Sequence, residues 1–167
     1  GTVTAGNLSN TAIVYPAGHI LQTIIDTDTG TSRLTTTASA WEDMTGLSCA
    51  ITSRQANSNF LITAHSGMTL SGGDSARLQV DIKRVITGGA TTEALSSIAA
   101  SGTNNYGLIH RRDDQWESET SSYLDVLSES AGTTITYSLV WWSGGGGTVY
   151  WLHESSLSSL MVQEIAV

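Results

Sequence analysis

The sequence is poor in the residues that mark several common architectures. The one proline in 167 residues, Pro16, stops any strand ladder there, and a single cysteine, Cys49, excludes an internal disulfide. Only seven residues are Lys or Arg against fifteen Asp or Glu, a formal charge of −8, so no basic surface exists for nucleic-acid phosphates. The one basic pair outside a strand, Arg111 and Arg112, is followed at once by Asp113 and Asp114. No apolar run approaches the roughly 20 residues of a membrane-spanning helix, and no secretory leader is visible, so no membrane partner is expected.

What is abundant is hydroxyl and glycine: 23 Ser, 23 Thr and 17 Gly, with 13% charged residues. This composition suits β-strands joined by polar turns. The length fits one domain able to bury a core without a staple. Cys49 alternates with Leu47 and Ile51 and reads as a small core residue. The chain starts at Gly1 without methionine, which suggests a piece of a longer protein.

The organising stretch is Thr134 to His153, TITYSLVWWSGGGGTVYWLH. Two runs of β-branched and aromatic residues flank Ser143–Gly147, the signature of a hairpin. Pairing Trp142 with Thr148 puts Ile135, Tyr137, Leu139, Trp141, Val149 and Trp151 inside. It leaves Val140, Trp142, Tyr150 and Leu152 as an outer apolar patch, read as an oligomer interface in preference to a sugar platform.

Further strands are expected at His19–Asp26, Thr36–Asp43, Leu47–Thr52, Phe60–Met68, Ala76–Ile86, Tyr106–His110, Tyr123–Leu127 and Leu157–Val167. In Ala76–Ile86 the alternation predicts Leu78, Val80 and Ile82 buried, with Arg77, Gln79, Asp81 and Lys83 in water. Thr92–Ala99 fits either a strand or a short helix. The last strand is apolar on both faces apart from Gln163 and Glu164, which suits a central place in a sheet. Nine or ten short strands without a long amphipathic helix predict an all-β fold, an antiparallel sandwich or barrel.

Several stretches together resemble small jelly-roll head domains of bacteriophage tail fibres and other virion appendages, of a marine phage type: YPAGHILQTI (15–24), AWEDMTGLSCAIT (40–52), NSNFLIT (57–63), SSYLDV (121–126), TTITYSLVWWSGGGGTVYW (133–151) and LSSLMVQEIAV (157–167). The resemblance implies an antiparallel β-sandwich of jelly-roll type akin to C1q and tumour necrosis factor, assembled as a homotrimer on the virion. Residues 1–16 then read as a linker or the end of a fibre shaft, and 17–167 as the jelly roll. Expected partners are other virion proteins and a host cell-surface saccharide or protein. A capsid decoration protein is the alternative.

Catalytic chemistry finds little support in the sequence. There is no Gly-x-Ser-x-Gly elbow, and His19, His65, His110 and His153 sit in dissimilar contexts, so no enzyme activity is expected. No histidine pair has ligand spacing and Asp113–Glu119 lacks a calcium-loop pattern; no metal or cofactor is expected. Trp41, Trp141 and Trp151 are assigned to the core. The candidate ligand-binding residues are Tyr106, His110, Arg111, Arg112 and Trp116, which cluster aromatic and cationic groups in one variable stretch.

Overall fold

A computed structural model describes residues 15–28, 34–72, 77–92, 95, 107–111, 117–144, 148–151 and 157–167. Among the described residues, eleven strands form two antiparallel sheets: β1 (Ile20–Asp28), β2 (Leu34–Thr36), β3 (Glu42–Thr52), β4 (Asn59–Gly72), β5 (Arg77–Ile86), β6 (Thr91–Thr92), β7 (Ile109–Arg111), β8 (Glu117–Val126), β9 (Thr134–Gly144), β10 (Thr148–Trp151) and β11 (Ser158–Ile165).

Three pairs of these strands are broken halves of one. β10 and β11 both run along the same edge of β4, because β8 occupies the other edge from Asn59 to Thr69. β1 and β2 follow β11 and β10 in turn, and β6 and β7 share the edge of β5 that β9 leaves open. With the halves joined, one sheet reads β1/β2–β11/β10–β4–β8 and the other β3–β9–β5–β6/β7. Eight strands in two sheets of four, with every consecutive pair but β5 and β6/β7 crossing between sheets, is the jelly roll.

The expected hairpin does not form. β9 is paired on both edges, with β3 and β5, while β10 lies in the opposite sheet between β2 and β4. Positions 145–147, between the two strands, lie outside the described residues. The predicted inward residues are nevertheless all buried, Trp141 at 5% exposure being the most open of the six. Strands facing one core from opposite sides bury the same alternate positions as a hairpin folded onto it.

The other strands follow the sequence with shifts at their ends, except that Thr36–Asp43 is not one strand: Thr36 ends β2, Glu42 and Asp43 begin β3, and 37–41 between them are not strand. β11 is central, between β1 and β4. Residues 117–122, N-terminal to the strand expected at Tyr123–Leu127, extend β8; of the ambiguous stretch Thr92–Ala99, Thr92 pairs as strand, and 93–94 and 96–99 lie outside the described residues. The core packs Phe60, Ile62, Leu78, Val80, Ile82, Tyr137, Leu139 and Trp151 between the sheets. Cys49 is in it, its thiol donating to Leu160 O at 3.1 Å, and burial pushes that thiol up to about 11. Trp41 is a correction: it is half-buried and stands outside this cluster.

Inward-facing charges close the sandwich, and each is bonded. Asp125 on β8 receives Arg84 Nη1 from β5 at 2.6 and 2.8 Å and the Tyr137 hydroxyl from β9 at 2.8 Å. Glu164 on β11 is fully buried. Its Oε1 accepts from Arg54 N at 2.8 Å, Gln55 N at 3.1 Å and Ser58 Oγ at 2.8 Å, while Gln22 Nε2 donates to Oε2 at 2.6 Å. A carboxylate held in this way ties the β3–β4 loop to the last strand.

Candidate functional site

The outer face of the β3–β9–β5 sheet departs most from expectation. Gln79 and Asp81, expected in water, are 1% and 0% exposed, and Val140, expected in an exposed patch, is 1% exposed. The proposed interface quartet is therefore not a single patch. Val140 and Trp142 lie on β9, Tyr150 is half-buried in the opposite sheet, and Leu152 falls outside the described residues.

Register assembles a different group. Gln79 on β5 pairs directly with Trp142 on β9 and, on its other side, with His110 on β7. Trp41 precedes β3, whose Glu42 pairs with Trp141, so Trp41 falls beside Trp142; the two rings meet at 6.2 Å and 55°. Directly opposed residues of an antiparallel pair share a face. Trp41, Trp142, Gln79 and His110 thus form one row across the sheet, two tilted indoles leading to an amide and an imidazole. Of the candidate ligand residues, His110 joins this row and Arg111 pairs with Leu78 one step along. Tyr106, Arg112 and Trp116 lie outside the described residues.

The row has unmet hydrogen-bonding capacity. Gln79 Oε1 and Trp142 Nε1 are buried and have no hydrogen-bond partner among the described residues. One is an acceptor and the other a donor, on side chains directly opposed across the strand pair. Each such buried group costs about 1–3 kcal/mol when left unpaired. A hydroxyl, which donates and accepts at once, complements both.

Neighbouring side chains set the tone of the site. Lys83 Nζ is 2.6 Å from Asp43, so that acid is neutralised locally, and Asp81 accepts from Ile82 N at 2.6 Å. Gly107 presses the returning chain against the sheet: a Cβ there would stand 2.4 Å from Val80 O and 3.2 Å from Trp41 Cη2. Only glycine permits that approach. Gln79 and Trp41 were missed as site residues because strict alternation assigned Gln79 to water and indole size assigned Trp41 to the core. The one available sequence signal was the amide inside an otherwise charged outer stripe.

No protein-family model matches the sequence, and no curated protein matches it. Among solved structures, the chain is similar to one in the structure of infectious bursal disease virus Gx strain, at 13% identity and a TM-score of 0.50. That match covers 87% of this chain and 32% of the viral one, so the present chain spans about a third of its length. The structure of Eiger TNF from S. frugiperda also matches, at 11% identity and a TM-score of 0.42, covering 86% of this chain and 93% of that one. At these identities the viral likeness bears on the fold alone, and it agrees with the jelly-roll connectivity traced above.

Proposed function

We propose that this chain is a non-enzymatic virion structural protein, the trimeric head of a phage tail fibre or other surface appendage, which adheres to a neutral host saccharide. The observation that carries the adhesive reading is the row Trp41–Trp142–Gln79–His110. Indole faces stack on the apolar faces of sugar rings, and the unpartnered indole N–H and amide oxygen match a sugar hydroxyl. With a net charge of −8, a neutral sugar is favoured over an anionic one. The virion reading is supported by the sequence resemblance and by a jelly roll shared with a viral structure. Display in three linked copies raises weak single-site affinity to useful avidity.

Fluorescently labelled protein applied to a panel of bacterial isolates tests this. Saturable staining of some strains, competed by their purified surface polysaccharide, is the expected result. No staining, with antibody against the chain decorating the phage head, would replace the adhesin with a capsid decoration protein.

A further inference from the structure

The inner wall of the β1–β11–β4–β8 layer changes character part-way along β4. β11 pairs with β4 as far as His65, and β10 takes over at Thr69. Ser66 stands in the gap between these two half-strands and pairs, among the described residues, with Glu119 of β8 alone. The register of β4 against β8 also shifts between Ser66 and Thr69, the mark of a bulge that locally disrupts the ladder.

Two buried polar groups border this gap. Phe60, Ile62 and Ala64 precede Ser66 on the inward face of β4, and all four are 0 or 1% exposed. Trp151 is the β10 residue on the far side, paired with Thr69 and wholly buried in the core. Ser66 Oγ and Trp151 Nε1 have no hydrogen-bond partner among the described residues. Both bond to water in the unfolded chain, so dry burial forfeits those bonds with nothing in return. The surroundings are polar as well: Ser158, the first residue of β11, is fully buried, and Glu119 is directly opposed to Ser66.

We infer that a resident water molecule is held between the sheets at this gap, accepting from Trp151 Nε1 and bonded to Ser66 Oγ. Chemistry selects the occupant. An indole N–H can only donate, which turns away a cation, and the Glu119 carboxylate beside Ser66 turns away an anion. What fits is a neutral molecule that donates and accepts, and a close-packed interior has few voids larger than one water. Bound there, it links β4 to β10 across the stretch where β11 has ended. None of the row Trp41–Trp142–Gln79–His110 takes part.

Water-selective nuclear Overhauser spectroscopy on the isotope-labelled chain tests this at the Trp151 indole proton, with urea unfolding of Ser66→Ala alongside. The expected result is a cross-peak to water of the sign given by a bound, slowly exchanging molecule. It is retained in Ser66→Ala, where no hydroxyl at that position relays it. The urea midpoint of Ser66→Ala is expected to fall, because the water loses a partner. A midpoint that stays or rises would mean that a dry, unpaired hydroxyl had been removed, and would overturn the resident water. A wild-type indole proton without the cross-peak would overturn it too, a result that needs no variant to fold.

Discussion

Arg84 and Asp125 join the two sheets. The guanidinium on β5 places Nη1 2.6 and 2.8 Å from the two oxygens of a carboxylate on β8, with side chains 15% and 4% exposed. Both take inward positions in the alternation of their strands, so each is tolerable only because the other is present. Asp125→Ala, which strands a largely buried cation, is expected to cost about 3–5 kcal/mol. Tyr137→Phe removes one donor to Asp125 and costs about 1–2 kcal/mol. Urea unfolding of both single variants and the double checks this, the double falling short of the sum because the residues share one network.

The Glu164 cage supports a second stability prediction. Glu164→Ala leaves the amides of Arg54 and Gln55 and the hydroxyl of Ser58 without their acceptor. A loss of about 3 kcal/mol or more is expected. Hydrogen exchange locates it: the Arg54 and Gln55 amides exchange faster in the variant, while those of β5 and β9 change only with global stability.

Alkaline pH weakens the fold in a definite window. Burial first, then the charge of Asp125 and its hydrogen bond, hold the Tyr137 phenol well above its ordinary value. Burial alone is the chief cause of the same direction at Cys49, which reaches about 11. Both folded pKa values exceed the unfolded ones, so the folded state retains protons that the unfolded state releases. Stability from these groups is whole below about pH 8.5 and declines as pH rises through the unfolded values of about 8.5 for thiol and about 10 for phenol. Urea midpoints between pH 7 and 11 are expected to fall, less steeply in Tyr137→Phe. At pH 8 a thiol reagent is expected to label Cys49 only after denaturant is added.

Gly107→Ala tests how the edge of the β3–β9–β5 sheet is pressed together. The added methyl meets the Val80 carbonyl at 2.4 Å, and backbone cannot yield cheaply. A loss of about 1–3 kcal/mol is expected, together with a change in tryptophan emission as Trp41 is displaced. Gly132→Ala, whose added atom meets open space at φ 87°, tests backbone strain without a clash; it is expected to leave that emission unchanged.

Much of the fold was legible because alternation is a local property. Leu78, Val80, Ile82 and the six inward residues of β9 and β10 are buried wherever their strands pair, provided one face meets a core. Pairing partners were less legible. Glycine-rich 143–147 permits a hairpin and a crossing between sheets alike, and only the competition of β3 and β5 for both edges of β9 decides between them. The candidate site fared worst, since it depends on which strands become neighbours. His110 and Trp142 are 32 residues apart and become relevant to each other only through Gln79, which pairs with both. Outer positions were equally opaque: Gln79 is covered while Leu124 is open, and period-two reasoning assigns neither.

The most direct measurement of the central claim compares wild type with Gln79→Met and Trp142→Phe on an array of bacterial surface saccharides, alongside urea unfolding. Gln79→Met replaces a buried acceptor that has no partner among the described residues, so the free protein is expected to become more stable by about 1–2 kcal/mol. Trp142→Phe keeps an aromatic face and loses the N–H. Both are expected to lose binding to neutral saccharides by at least about tenfold while remaining folded, a stabilised protein that no longer adheres. Undiminished saccharide binding in both folded variants would contradict the account.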